Sequence, residues 1–203
     1  MPEKRASTDH PIHELLAERW SPYALADRPV PRADLCSLFE AARWASSSYN
    51  EQPWSYIIAT KEDPQQFQRI LACLVEGNQI WAKAAAVLAL GVVNLKFARN
   101  AMENRAAIHD LGLATGNLLV EATSRGLLVH QMIGILPDKA RETYEIPEGS
   151  EAWTGIAIGY RGDPTSLPES LRQRELTPRQ RKPLNQFVFS GKWGNPSPLV
   201  LKP

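Results

Sequence analysis

The sequence predicts a globular domain of the α/β or α+β class, and three observations lead there. The chain has 203 residues, 43% hydrophobic and 22% charged, enough to bury a substantial core without a covalent staple. Apolar runs of strand length alternate with stretches of helical period. No repeat or domain-splitting linker interrupts it, so a single domain over residues 1–203 is expected.

The elements follow in order. Ile12, Leu15 and Leu16 fall at helical spacing and predict a short first helix running into Glu18 and Arg19. Pro31 suits the first turn of a second helix, whose apolar face is Leu35, Leu38, Phe39 and Ala42. Ser55 to Thr60 reads as a strand, and Asp63-Pro64 opens a third helix through Leu71, Leu74 and Val75. Ala86 to Val93 is a second strand. Glu103 to Gly126 is the clearest helix: Ala107, Leu111, Ala114, Leu118 and Ala122 recur at three- and four-residue spacing, and Gly126 stops it. Gly112 and Gly116, one turn apart on that helix, let another backbone approach closely, which suits burial or a subunit interface. A strand at Leu127 to Val129, a short helix at Pro137 to Tyr144 and a strand at Thr154 to Tyr160 complete the core. Gly162 to Pro183, rich in Pro, Arg and Glu, reads as a surface arm that hugs something rather than a new core.

Composition limits the function. A formal net charge of +1 supplies no global field for nucleic acid or an anionic membrane. Cys36 and Cys73 lack metal or redox spacing and are expected to be two reduced, buried thiols in a cytosolic protein. The N-terminal MPEKRASTDH lacks the apolar core of a secretory signal, and the longest apolar run, Ala84 to Val93, is too short to span a bilayer. A soluble, cytoplasmic protein is expected. No GxGxxG follows a strand, no GxxxxGK[ST], HExxH or GxSxG occurs, and His10, His13, His109 and His130 show no metal-ligand spacing.

Four separated features remain. Arg19-Trp20-Ser21-Pro22-Tyr23 places a guanidinium and a hydroxyl at a helix end, able to donate to a phosphate or a heterocycle carbonyl; it also reads as a solvated Arg and a turn. Ser46-Ser47-Ser48-Tyr49-Asn50-Glu51-Gln52-Pro53-Trp54 gathers hydroxyls and carboxamides before a rigid apolar pair. It suits a phosphate, a polyol or a heterocycle edge, or a polar turn. Arg179-Gln180-Arg181 on an extended segment projects two guanidiniums to one side as a phosphate pincer, or is a solvated basic arm. His130-Gln131-Met132-Ile133-Gly134 follows a strand, and its Gly lets the backbone approach a flat ring, or simply turns in the core.

In this order and spacing the four features resemble the nitroreductase family of FMN-dependent oxidoreductases. The matching residues are Arg19-x-Ser21, Ser47-Ser48-x-Asn50-x-Gln52-Pro53-Trp54, Asn78-Gln79-x-Trp81, Gly126-Leu127-Leu128, Gly159-Tyr160 and Arg179-x-Arg181-x-Pro183, covering about residues 11–190. The resemblance implies an α+β fold, a three-layer α/β/α sandwich with a mixed central sheet flanked by helices, as a homodimer. It implies FMN as cofactor and NADH or NADPH as electron donor. Arg19, Ser21, Arg179 and Arg181 would hold the phosphate and the flavin's polar edge, and Asn78 the pyrimidine edge. Gln131, Met132, Ile133 and Gly134 would face the ring. Ser47, Ser48 and Asn50 would reach the partner subunit's FMN, and Trp20, Tyr23, Ser46 and Gln52 of the same motifs are expected to bind the cofactor too. Tyr23 stands where the family often has a second basic residue, and Arg161 where it often has Pro.

On that resemblance, hydride passes from the nicotinamide through flavin N5 to a small flat acceptor (a nitroaromatic, quinone or activated alkene) by ping-pong turnover. No nucleophile or general base from the protein is required, and no metal, nucleic acid or membrane partner is expected. The same scaffold could serve dehalogenation, dehydrogenation of a modified peptide or flavin breakdown. A flavin-free dimeric binding protein, built on the small-residue helix, is the non-enzymatic alternative.

Overall fold

The computed structural model describes residues 4–201; the other five, including the first three of the polar N-terminal stretch, lie outside the described residues. Its sheet has five strands: β1 (Leu25–Ala26), β2 (Trp54–Thr60), β3 (Val87–Asn94), β4 (Leu128–Met132) and β5 (Ser150–Arg161). β3 lies between β2 and β5, and β5 also pairs with β4 and β1. Every pairing is antiparallel, so the mixed sheet expected above is replaced by an antiparallel one among the described residues.

Helices cover both faces, which gives the three-layer sandwich. From β3, Leu88, Leu90 and Val92 meet Phe67, Ile70 and Leu71 of α3 (Pro64–Ala72), Trp81 of α4 (Glu76–Ala82) and Ala140 of α6 (Pro137–Tyr144). Val87 and Ala89 point the other way, with Ile156 and Ile158 of β5. They pack on Leu35, Leu38 and Ala42 of α2 (Arg32–Arg43) and on Ala114, Leu118 and Ala122 of α5 (Ala107–Ser124). A strand buried on both faces must be apolar at every position rather than at alternate ones. That is why the run from Ala86 to Val93 has no polar residue.

Local chemistry sets most ends. Asp63 caps α3 by accepting the Gln66 N–H at 3.1 Å, with Pro64 in the first turn. Gly126, at φ +69°, closes α5: its N–H reaches Thr123 O at 3.1 Å and that of Leu127 reaches Ala122 O at 2.9 Å. The start of α5 is later than the helical period suggests. Residues 95–106 instead fold back on themselves, Phe97 N–H bonding Met102 O at 2.8 Å and Asn104 N–H bonding Leu95 O at 2.8 Å.

Other differences are also physical. β4 runs on through His130, Gln131 and Met132, which pair with Ala157, Ile156 and Gly155, so the chain turns only at Ile133. β5 begins at Ser150 rather than Thr154 because its first residues pair with the end of β3. The register shifts between Gly91 and Val92, leaving Trp153 as the extra residue of a bulge. Cys73 is buried, but Cys36 is exposed on the outer face of α2, which corrects the expectation of two buried thiols.

The polar arm contains an unpredicted helix, α7 (Glu169–Leu176), whose Leu171 packs on the core beside Leu167. Polar contacts hold it as well. Glu175 is only 3% exposed and accepts the Tyr23 N–H at 2.7 Å, while Lys4 Nζ donates to Thr177 O at 2.6 Å. The arm therefore hugs the N-terminal segment that carries α1 (Glu14–Glu18). Burial pushes the Glu175 carboxyl above its ordinary 4.5, against the pull of the Tyr23 and Ala24 N–H groups and the cations Lys4 and Arg161.

Leu118 is fully buried, so Leu118→Ala is expected to cost about 2–5 kcal/mol in urea melts. A carboxyl raised on folding binds its proton more tightly in the native state. Its stabilisation is therefore complete below 4.5 and is lost as pH rises through the raised value. Glu175→Gln should consequently cost most at acid pH, with the wild-type minus variant difference shrinking toward neutrality in melts compared across that window.

Candidate functional site

The segment after α1 is extended, so its side chains alternate. Trp20 and Pro22 turn inward and are buried, which leaves Arg19 and Ser21 facing out together. Arg19 Nη1 donates to Ser21 Oγ at 3.3 Å. Trp20 is an anchor in this arrangement, with Lys4 Nζ 5.3 Å from its ring centroid.

The C-terminal arm brings two more guanidiniums to the same place. Arg179 Nη1 donates to Lys4 O and Ala17 O, both at 2.8 Å, which ties the arm to the end of α1. Burial lowers Arg19 from its ordinary value, and the charges of Arg179 and Arg181 lower it further. Burial and then Arg181 do the same to Arg179. The three guanidiniums lie close enough for the charges of Arg179 and Arg181 to act on Arg19, and among the described residues no carboxylate pairs with any of them. Such a donor set is unbalanced until an anion joins it. Its geometry favours a phosphate, whose oxygens accept several guanidinium hydrogens at once.

Tyr23 and His130 connect this cluster to the end of β4. His130 Nδ1 donates to Pro22 O at 2.8 Å, and its ring lies 4.4 Å from Trp81 and 5.0 Å from Tyr23. Burial lowers the His130 pKa, with the Arg19 charge adding to it and the Pro22 carbonyl opposing it. A neutral imidazole braces the turn beside Arg19. Tyr23 packs its ring edge-on to Trp81 at 5.4 Å and so serves the core.

Beyond His130, Gln131 is half-buried, Met132 is buried and Ile133 is 78% exposed, an unusual exposure for an isoleucine at a strand end. Asn78 Nδ2 donates to Gly134 O at 2.9 Å, which leaves Asn78 Oδ1 free to accept. A Cβ on Gly134 would lie 2.5 Å from that amide nitrogen and 2.9 Å from Val75 Cγ2, so only glycine admits Asn78 here. Gln79 and Trp81 of the same motif are structural: Gln79 Nε2 donates to Leu74 O at 2.7 Å, and Trp81 is buried.

An open cleft of about 370 Å³ adjoins Gln131, Met132 and Ile133. Its other walls are Ile108, Leu111, Gly112 and Thr115 of α5 and the bulged Trp153 with Thr154. Sequence periodicity did not single out Trp153, because a bulge is set by pairing register and not by residue type. A second open cleft of about 460 Å³, at Pro29 to Arg32, Leu35, Thr60 and Glu62, contains none of the candidate residues.

The polar loop is elsewhere. Ser48 N–H donates to Asp110 Oδ2 at 2.9 Å, fixing the loop to the first turns of α5. Ser47 Oγ accepts the Gln52 N–H at 3.0 Å, and Gln52 Nε2 donates to Asn50 O at 3.1 Å. Tyr49, Asn50 and Gln52 sit at φ +54°, +55° and +51°, three left-handed non-glycine residues within four positions. Each such residue costs roughly 1–3 kcal/mol, and such strain concentrates at functional sites. Pro53 is buried and its carbonyl accepts the Asn94 N–H at 2.8 Å, while Trp54 packs on the core, so the pair braces the loop as its sequence suggests. Ser46, Tyr49, Asn50 and Gln52 are exposed. No hydrogen bond or aromatic contact joins the loop to the arginine cluster among the described residues. Three of the four sequence features are thus linked by contacts within one protomer, and among the described residues no such contact joins the loop to the arginine cluster.

Sequence reasoning missed Asp110 and His109. Asp110 is 2% exposed and its Oδ1 meets His109 Nδ1 at 3.0 Å. A carboxylate early in a helix ordinarily signals only favourable interaction with the helix dipole. Among the described residues no group of three His, Cys, Asp or Glu side chains could hold a metal ion.

Similarity to known proteins agrees with this geometry. The solved structure described as an oxidoreductase containing FMN superposes with a TM-score of 0.88 and 33% identity, over 96% of this chain and 98% of that one. The uncharacterized 15.4 kDa protein in the ask 5′ region of Mycolicibacterium smegmatis is 33% identical over 132 residues, which are 65% of this chain and 87% of that protein. A protein of Archaeoglobus fulgidus with a provisional NADH dehydrogenase/NAD(P)H nitroreductase name is 24% identical over 162 residues, 77% of this chain and 89% of its own. The family model for the nitroreductase family matches residues 16–160, well over half of the sequence, and the chain belongs to that family.

Proposed function

We propose that this oxidoreductase binds FMN and passes hydride from NADH or NADPH to small, flat acceptors such as nitroaromatics, quinones or activated alkenes. The observation that carries the reading is the convergence of Arg19, Arg179 and Arg181 without a carboxylate, beside the cleft-lining end of β4. The residues present suit FMN. Three guanidiniums and the Ser21 hydroxyl match its phosphate and polar edge, Asn78 Oδ1 can accept from a ring N–H, and exposed Ile133 offers an apolar support. The FMN-containing relative and the nitroreductase name of the archaeal one support the same reading.

When bound, FMN supplies the hydride chemistry; the chain binds, orients and tunes it. Arg19, Arg179 and Arg181 anchor the phosphate. Backbone N–H groups at Ile133 and Gly134, freed from strand pairing past Met132, are available to a flat ring. The open cleft admits nicotinamide and acceptor in turn, which is the geometry ping-pong exchange needs. We further propose that the active form is a cytoplasmic homodimer in which Ser47, Ser48 and Asn50 reach the partner subunit's FMN. The lack of a hydrogen bond or aromatic contact between the loop and the arginine cluster among the described residues, and the strain held in that loop, support this arrangement. No helix among the described residues is long and apolar enough to cross a membrane.

The purified protein should be yellow and release FMN on heating, and either NADH or NADPH should bleach the flavin in stopped-flow mixing. A colourless protein that excess FMN cannot reconstitute would refute the reading. A charge-assisted hydrogen bond is worth about 1.5–3 kcal/mol, so Arg19→Ala and Arg181→Ala should each weaken FMN binding about tenfold or more in fluorescence titrations. Arg174→Ala, exposed and outside the cluster, should leave it unchanged; equal losses would make the arm a generic basic surface.

A further inference from the structure

Asp110 is a buried carboxylate with no Lys or Arg partner among the described residues. Its oxygens are divided between two donors, Oδ2 taking the Ser48 N–H at 2.9 Å and Oδ1 facing His109 Nδ1 at 3.0 Å. A carboxylate only accepts, so the contact places the imidazole proton on Nδ1 and turns Nε2 away from Asp110. The His109 side chain is 70% exposed, which leaves Nε2 accessible. One side chain is thus oriented by a buried acid that also pins the strained loop. Its neighbour Ile108 lines the cleft, so this turn of α5 borders both features.

We propose that His109 is the proton donor to the acceptor, working beside Ser47, Ser48 and Asn50 at the partner subunit's flavin. This rests on the flavin reading above. Hydride alone does not complete reduction of a quinone. Hydride delivered to one carbonyl oxygen forms an O–H bond there, and the displaced electron pair moves through the ring to the opposite oxygen. That oxygen takes the Nε2 proton of His109 in its imidazolium form, giving the hydroquinone and leaving the neutral Nδ1–H tautomer that Asp110 holds, and Nε2 regains its proton from solvent. The quinone gains two electrons and the reduced flavin loses two. Asp110 acts as a positioning residue, holding the tautomer and the ring direction.

The test uses the FMN-loaded dimer and two acceptors, menadione, which needs a proton, and ferricyanide, which takes single electrons without one. A positioned general acid contributes about 10²–10⁴-fold, so His109→Ala should slow oxidation of the reduced enzyme by menadione at least tenfold. Its reoxidation by ferricyanide and its FMN affinity should not change, and added imidazole should restore part of the menadione rate. Independently of flavin, ¹⁵N NMR of imidazole-labelled protein should show neutral His109 as the Nδ1–H tautomer, with the Nε2–H form appearing in Asp110→Asn. An unchanged menadione rate, equal slowing with both acceptors, or a wild-type Nε2–H tautomer would overturn the proposal. A wild-type protein that binds no FMN would instead fail at the flavin reading, before His109 is reached.

Discussion

The buried carboxylate of Glu175 is the constraint on which the site depends. It takes the Tyr23 N–H across 152 residues of sequence and fastens an arm that otherwise packs Leu167 and Leu171 on the core. Burying a charge is costly unless it is hydrogen-bonded, and here backbone N–H groups and nearby Lys4 offset part of that cost. The consequence is spatial. With α7 fixed against residues 23 and 24, the following extended segment must run past the end of α1, and Arg179 reaches Ala17 O. Arg19, which the opposite end of the chain supplies, then meets two guanidiniums it could never find locally.

That dependence explains which parts of the molecule are legible in the sequence. α6 matches its expected bounds, and β2 and β3 differ from theirs by a residue or two, because each has a sharp local signal: a proline at the helix start, a β-branched or apolar run in the strands. α5 keeps its apolar face and its glycine stop, and loses only the turns that the 95–106 fold-back claims. α7 and the two-residue β1 are not legible, since tertiary contacts hold one and pairing with the end of β5 defines the other. The direction of strand pairing is not legible either, because connection lengths here permit both senses.

The candidate site divides along the same line. The identities of Arg19, Ser21, Asn78, Gly134, Arg179 and Arg181 were readable as motif residues, and their grouping follows from the arm. Trp20 and Tyr23 belong to the same motif, yet their rings are spent on anchoring it. The Asp110–His109 pair had no motif to announce it, since its meaning comes from a contact with Ser48 that is formed 62 residues away. Trp153 reaches the cleft only because one residue of β5 has no partner on β3.

The loop from Ser47 to Gln52 has one more consequence. Its left-handed residues are locked by Ser47, Asp110 and buried Pro53, all from within one chain. The ordering entropy of that surface is therefore lost during folding, before any second molecule arrives. Whatever docks there meets a finished shape, and association needs only rigid-body alignment. Assembly of such a surface is limited by encounter and orientation, with no slow rearrangement at the contact.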